Sequence, residues 1–151
     1  MALSAKLDNK NFRVYAALGD GEIEEGQVWE AAMFAAHYKL DNLTAFLDYN
    51  GLQIDGKTSE VMNSDPLDEK FRAFNWHVIN IDAHDYDAIR AALKEARETK
   101  GKPTMIIAKS IKGKGVSYME NQAKWHGSAP NTEQYEQAIR ELDEAIAALE
   151  H

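Results

Sequence analysis

No cysteine occurs in the 151 residues, which excludes disulfides, thiolate chemistry and cysteine-ligated zinc. No run of about 18 apolar residues occurs, so no transmembrane helix is expected. The N-terminus lacks the pattern of a secretory signal. Basic residues are the minority. The 17 Lys and Arg against 25 Asp and Glu leave a net charge of −8, which argues against nucleic-acid and anionic-membrane surfaces. Internal repeats, low-complexity segments and domain linkers are also lacking. A cytoplasmic protein is the expectation.

What remains is an ordinary globular mix, 44% apolar and 28% charged, in a length that suits one domain with a sizeable core. "MALSAKLDN" begins directly in an apolar-periodic helix with no capping residue ahead of it. Residues 12–18, 43–49, 77–82 and 103–110 read as strands. Residues 22–39 read as a helix with Val28, Ala31, Ala32, Ala35 and Tyr38 on one face. "NGLQIDGKTSEV" reads as a loop. Ser64-Asp65-Pro66 reads as a helix start, a capping side chain and then proline in the first turn, followed by Leu67, Phe71 and Phe74. "DYDAIRAALKEARET" reads as a helix with Gly101 as its C-cap. Residues 111–130 form a long glycine-rich loop, and a last helix begins at Asn131. Its Tyr135, Ile139, Leu142, Ile146 and Leu149 make one narrow apolar stripe, suited to packing on the domain or on a partner. "LEH" at the C-terminus reads as the stub of a tag, and His151 takes no role.

Strands alternating with helices imply a mostly parallel sheet covered on both faces, a three-layer α/β/α fold. Ligands of such sheets bind beyond the carboxyl ends of the strands. That rule singles out Gly19-Asp20-Gly21, Asn50-Gly51, Asp82-Ala83-His84 and Ser110 to Gly115.

Two of these ends carry chemistry. Gly21 reads as the opening of a helix, where unpaired N–H groups and a positive dipole end suit a diphosphate. Glycine lets the backbone approach closely, because no Cβ intervenes. Asp20 offers a hard oxygen of the kind Mg²⁺ takes alongside phosphates. Asn50, thirty residues on, offers an amide oxygen without further charge. Asp20, Asn50 and a loop carbonyl together suit one Mg²⁺ held against a diphosphate. Each signal alone has a plainer reading: GDG and NG are common turns, and Glu22, Glu24 and Glu25 complement a helix dipole. Their joint spacing on two successive strand ends is what raises them. For Lys109, Lys112 and Lys114 two readings stand open, phosphate contact or a solvated basic loop. His37, His77 and His84 take no role.

"GDG" followed by "N" at this distance resembles the thiamine-diphosphate fingerprint. "GDGEIEEGQVWEAAMFAAHYKLDNLTAFLDYNGLQIDG" is similar to the cofactor-binding domain of transketolase along its whole length, and "IKGKGVSYMENQAKWHGSAP" resembles that family's later substrate-side loop. The resemblance covers essentially the whole chain. It implies thiamine diphosphate and Mg²⁺ (or Ca²⁺ or Mn²⁺) as cofactors. Asp20 and Asn50 would be metal ligands through their side chains and Leu52 through its carbonyl. Gly21, with Gly19 beside it, would present backbone to the diphosphate, and Ile54 would lie on the thiazolium side. Glu25 and Glu30 would belong to a carboxylate network linking two active sites of a dimer. They lie about 140° apart around a helix, so they would line an interface without sitting side by side. His126, in "WHG", would reach the diphosphate and the reacting substrate.

The implied reaction moves a two-carbon ketol unit between sugar phosphates, as in the pentose phosphate pathway. The family's cofactor domain also carries a glycine-rich segment and histidines ahead of the point matched by Met1. A second domain binds the pyrimidine ring and supplies an activating glutamate. Neither is found in this sequence. The resemblance therefore implies the N-terminal part of a split transketolase, shortened at its start. Such a protein would be a homo-oligomer that needs a complementary pyrimidine-binding subunit. Two alternatives stand beside it: a part of a deoxyxylulose-phosphate-synthase-like enzyme, and a non-catalytic truncated binding or interaction domain. "NGLQIDG" and "WHGSAP" favour transketolase over the first.

Overall fold

Four short aliphatic runs form one parallel sheet. In the computed structural model, which describes residues 1–149, the strands are β1 (Val14–Gly19), β2 (Leu43–Tyr49), β5 (His77–Asp82) and β6 (Thr104–Lys109), in the spatial order β1-β2-β6-β5. Every pairing within this sheet is parallel. The central strand β6 is buried from Thr104 to Ala108, which is why it reads as a continuous apolar run and not as an alternating one. Glu150 and His151, and with them the end of the tag-like "LEH", lie outside the described residues.

Helices cover both faces, as the alternation implied. On one face α1 (Ala2–Leu7), α2 (Gly26–His37) and α4 (Leu67–Ala73) bury Ala2, Ala32, Ala35, Leu67 and Phe71 against Ala45, Leu47, Met105 and Ile107 of the sheet. Trp76 locks this layer. Its ring meets Phe71 edge-on and its Nε1–H donates to the Ala32 carbonyl at 2.9 Å. On the other face α5 (Tyr86–Glu98) sets Ala92 and Ala96 on Ile106. α6 (Thr132–Leu149) lies against the loop after β6, where Ser117 bonds Glu141 and the Tyr118 hydroxyl donates to the Gln134 carbonyl.

Several local expectations are corrected. The helix expected over 22–39 is broken. Glu22–Glu24 form one 3₁₀ turn, Glu25 is extended, and α2 starts at Gly26. Ile23 explains the break. Its side chain is fully buried, and the chain must step outward before α2 can present Ala32 and Ala35 to the same core. Of the residues read as one face, Ala31 on α2 and Tyr38 just past its end are exposed, while Trp29 packs inward. Within "NGLQIDGKTSEV" the chain forms a two-residue antiparallel ladder, β3 (Leu52–Gln53) with β4 (Gly56–Lys57), and a short helix α3 (Thr58–Val61).

Asp65 does not cap α4. Its carboxylate accepts the Tyr49 hydroxyl at 2.8 Å, and Pro66 occupies the cap position with Leu67 as the first helical residue. α5 closes at Thr99, whose hydroxyl and N–H both return to the Glu95 carbonyl, so Gly101 is not its cap; the Gly101 N–H donates to Asp41. The apolar stripe of α6 points outward, with Leu142 39% and Leu149 87% exposed, while Gln134, Gln137, Ala138 and Glu141 turn toward the protein. Ser117 selects that polar face, because its N–H and hydroxyl both donate to the Glu141 carboxylate, a partner that an aliphatic stripe does not offer. Most of the stripe therefore lies open, with Leu142 reaching the loop at Gly115.

Candidate functional site

β1 and β2 run side by side in a register that pairs Gly19 with Asp48, so Asp20 and the Asn50 turn leave the sheet as neighbours. Asp20 is 1% exposed, and its Oδ2 accepts the Gly51 N–H at 2.5 Å. Asn50 Oδ1 accepts the Leu52 N–H at 2.9 Å. Both side chains thus staple the turn 50–52, in which Gly51 takes φ +75°, a conformation open to glycine and costly for most other residues. A carboxylate oxygen and an amide oxygen each have more than one acceptor site, so both side chains keep capacity toward the cleft after the turn is satisfied. Burial pushes the Asp20 carboxyl above its ordinary value; the Gly51 N–H pulls against that rise, and the negative charge of Asp48 adds to it.

A cavity of about 430 Å³ opens at this corner. Gly19, Asp20, Gly21, Asn50, Leu52, Ile54 and His126 line it, together with Glu22, Asp48, Gln53, Asp55 and Lys112. Gly21 touches the opposite wall. A Cβ built there would lie 3.0 Å from the Cβ of Gln53, so any larger residue would press the 3₁₀ turn away from β3. Ile54 stands at the rim, 71% exposed, an apolar surface next to oxygen donors. Lys112 and His126 arrive from the loop after β6, which is pinned at its root. The Ser110 N–H donates to the Tyr49 carbonyl at 3.0 Å, and the Ile111 N–H donates to His84 Nε2 at 2.9 Å.

The structure therefore gathers Gly19, Asp20, Gly21, Asn50, Leu52, Ile54 and His126, and it leaves Glu25 and Glu30 outside. Glu25 is the extended residue before α2, and Glu30 points from α2 into solvent; both are exposed. Their expected separation around a helix does not apply, because Glu25 is not helical. Gly21 does not open an α-helix. It precedes a single 3₁₀ turn, too short to sum a macrodipole, so anion binding here would rest on backbone N–H groups and Lys112.

Sequence reasoning overlooked Glu22, given no role beyond solvation and the helix dipole. Its Oε2 accepts the Gly19 N–H at 3.1 Å and so holds the backbone beside Asp20. It also overlooked Gln53, whose Nε2 donates to Glu24 Oε1 at 2.9 Å and ties β3 to the 3₁₀ turn, and it passed over Asp48. The period of two along β2 is the signal that was available, because it sets Asp48 and Asn50 on one side of the strand end.

The donor set fits a hard cation. Asp20 offers carboxylate oxygen and Asn50 its amide oxygen, and Leu52 lines the same cavity. Among the described residues no cluster of three or more His, Cys, Asp or Glu can close around a metal. A cation held by Asp20 and Asn50 would complete its shell with oxygens of a ligand, as Mg²⁺ does with phosphates.

A second and larger cavity, about 760 Å³, lies at the ends of β5 and β6 between Asp82, His84, Lys109, Ser110 and Lys114. Three of its polar groups are tied to the backbone or to a side chain outside it. Asp82 Oδ1 accepts the His84 N–H, His84 Nε2 accepts from Ile111, and the Ser110 hydroxyl turns away to Asp48. Among the described residues no helix is long and apolar enough to cross a membrane.

Comparison with known proteins agrees with this geometry. Residues 5–144 match the family described as transketolase, thiamine diphosphate binding domain. The chain is 46% identical over 143 residues to a 6-deoxy-6-sulfo-D-fructose transketolase subunit of Clostridium sp., covering 95% of this chain and 52% of that protein. It is 45% identical over 150 residues to an apulose-4-phosphate transketolase subunit of Phocaeicola vulgatus, covering 99% of this chain and 53% of that protein. The chain thus spans about half the length of these curated relatives. A crystal structure of transketolase from Campylobacter jejuni superposes with a TM-score of 0.84 at 32% identity, over 92% of this chain and 22% of that one. The fold, the cleft at the ends of β1 and β2 and the match over residues 5–144 lead to one assignment: the chain belongs to the transketolase family, as its thiamine-diphosphate-binding domain.

Proposed function

We propose that residues 1–151 form one domain that holds the diphosphate and metal end of thiamine diphosphate in a transketolase-like enzyme. The observation that carries this reading is the stapled turn. Asp20 and Asn50, on different strands, each bind a backbone N–H of the same three residues and keep acceptor sites toward a shared cleft. Asp20, Asn50 and the Leu52 carbonyl hold Mg²⁺, with Ca²⁺ or Mn²⁺ as substitutes. Backbone at Gly19 and Gly21 faces the diphosphate, and Lys112 offsets its charge. Ile54 gives the thiazolium side an apolar wall. His126, on the rim, reaches the diphosphate and the substrate and is the residue placed to hold or move a proton there.

When bound, the cofactor supplies the carbon centre that carries a two-carbon ketol unit between sugar phosphates; the protein binds, orients and polarises. The complete enzyme needs a complementary pyrimidine-binding subunit. This requirement is supported by the names of the relatives, which are themselves subunits, and by the half-length overlap. Glu25 and Glu30 act at the contact between two copies. Their exposure supports that role, as do the exposed Met33 and Phe34 on the same helix. A cytoplasmic enzyme is the companion reading, supported by an acidic chain without cysteine.

The test is calorimetry of the purified chain with thiamine diphosphate, with and without Mg²⁺. Binding that requires the metal and disappears in Asp20→Ala is expected; equal binding by parent and variant would overturn the site. Turnover is then measured on a panel of ketose donors in the presence of the complementary subunit. The panel includes 6-deoxy-6-sulfofructose, because a relative carries that sugar in its name. Robust turnover by the chain alone would remove the partner requirement.

A further inference from the structure

One carboxylate at the cleft has both of its oxygens engaged and no part in the assignments above. The Asn50 Nδ2–H donates to Asp48 Oδ2 at 3.1 Å, and the Ser110 hydroxyl donates to Asp48 Oδ1. Asp48 sits at the end of β2, in register with Gly19 on one side and Ala108 on the other. It thus bridges the strand that presents Asn50 to the root of the loop that carries Lys112.

We propose that Asp48, held by Ser110, is a positioning residue that fixes the Asn50 side-chain amide with its carbonyl oxygen toward the cation beside Asp20. This rests on the reading of Asp20 and Asn50 as metal ligands.

The reason lies in the chemistry of asparagine. The two ends of its amide are nearly equal in shape and opposite in chemistry: the oxygen is a metal ligand and the NH₂ repels a cation. The terminal torsion is broad and roughly two-fold, so nothing within the residue selects one end. Neighbours must select it. Asp48, an acceptor only, takes the NH₂ end. The Leu52 N–H, a donor only, takes the oxygen end at 2.9 Å. The two contacts read the same orientation from opposite sides.

The Asp48 contact contributes more than orientation. An amide that donates to an ionised carboxylate forms a charge-assisted bond and is polarised by it, which makes its oxygen a better ligand. Ser110 has a separate task. A free carboxylate this close to Asp20 would turn toward a bound cation, take the place of Asn50 and release the amide. The Ser110 hydroxyl holds Asp48 on the β6 side. Removal of such outer partners of a ligand typically lowers metal affinity about ten- to a hundredfold.

The test uses the ¹⁵N-labelled full chain, Mg²⁺ and thiamine diphosphate, with the variants Asp48→Ala, Ser110→Ala, Ser110→Thr and Asp20→Ala. Two quantities are read: the side-chain NH₂ resonances of Asn50, assigned by their loss in Asn50→Ser, and the Mg²⁺-dependent affinity by calorimetry. The resonance of the Asp48-bonded proton should move to the position of a solvated amide in Asp48→Ala. Affinity should fall about ten- to a hundredfold in that variant, by less in Ser110→Ala, and recover in Ser110→Thr, which keeps the hydroxyl. Circular dichroism should show the same fold throughout, because Asp48 is exposed.

Unchanged Asn50 resonances in Asp48→Ala would overturn the proposal. So would parental affinity in Asp48→Ala while Asp20→Ala loses binding, an outcome that leaves the metal site standing. If the parent does not bind, or Asp20→Ala binds as the parent does, the metal-site reading falls and this proposal falls with it.

Discussion

Two clefts open at the carboxyl edge of one sheet, and the larger is the poorer candidate. The cleft at β5 and β6 encloses about 760 Å³ and the one at β1 and β2 about 430 Å³. In the larger, Asp82, His84 and Ser110 hold the chain: one closes the turn to α5, one fixes Ile111, and one turns out of the cleft to Asp48. In the smaller, Asp20 and Asn50 satisfy a turn and still present oxygen acceptors, with a lysine and a histidine opposite. What the smaller cleft adds is a pair of oxygen acceptors brought together from neighbouring strands, not volume. The two clefts are also linked, since the loop rooted in the larger one delivers Lys112 and His126 to the smaller.

The widest separation between the clefts should come from single removals. Asp20→Ala is expected to abolish Mg²⁺-dependent binding of thiamine diphosphate, a loss of a hundredfold or about 3 kcal/mol at the least. Lys109→Ala in the larger cleft should leave affinity within about twofold. Calorimetry on both variants checks this. A large loss from Lys109→Ala would move the site to β5 and β6.

Next in size is an opposition between binding and stability at Asp20. Its carboxyl holds a proton more tightly in the folded chain than the ordinary 3.8, because burial disfavours the charge. Folding therefore penalises the ionised form. The penalty is fully present above the folded-state value and is relieved as pH falls toward the ordinary one. Asp20→Asn, which can still accept the Gly51 N–H, should raise stability at neutral pH by about 1 kcal/mol in urea denaturation while it removes metal-dependent binding. A fall in stability would mean that the charge is compensated in the fold. In the parent, metal-dependent binding should fade with acid at a pH above that of an ordinary aspartate, as protons displace the cation.

A comparable effect on stability, without one on binding, is expected behind the β2 strand. The Tyr49 hydroxyl, pushed up to about 12 by burial and by its bond to Asp65, favours the neutral phenol in the folded chain. Its contribution is complete below the ordinary value of 10 and is lost as pH rises from there toward 12. Tyr49→Phe should cost about 1 kcal/mol and flatten that alkaline loss, as followed by denaturation between neutral and alkaline pH. An unchanged profile would show that the Asp65 bond does not persist in solution.

The smallest effects distinguish the glutamates. Glu22→Gln keeps an acceptor for the Gly19 N–H and should weaken cofactor binding about twofold. Glu25→Gln should leave binding by the isolated chain unchanged and reduce self-association in sedimentation. If Glu25→Gln weakened binding more than Glu22→Gln did, the cleft would have to extend to α2.

Much of this was legible in the chain itself. The four aliphatic runs read as strands and formed them, and the structure set β6, apolar from Met105 to Ala108, inside the sheet. Parallel topology followed from the alternation with helices, and it placed Asp20 and Asn50 on the same edge of the sheet. The helix read from "DYDAIRAALKEARET" formed as α5, and the structure adds its cap, the Asp85 side chain accepting from Asp87 and Ala88. The failures share a cause. At Glu25, Asp65, Gly101 and along the outer stripe of α6, a local signal lost to a distant partner: the core that claims Ile23, the Tyr49 hydroxyl, the Asp41 carboxylate and the Ser117–Tyr118 loop.

The division between sequence and fold is therefore one of range. Periodicity and turn residues act within a few residues or repeat along the chain; they determined the strands and the layers, and with them the strand ends that carry Asp20 and Asn50. Which of their oxygens stay free was decided only when β1, β2 and β6 came together. Gly19 then met Asp48, Asp48 met Ser110, and the Asn50 turn closed on Asp20. A hydrogen-bonding side chain takes whichever partner packing brings within about 3 Å, and that partner can lie far along the chain, as Ser110 lies 62 residues from Asp48.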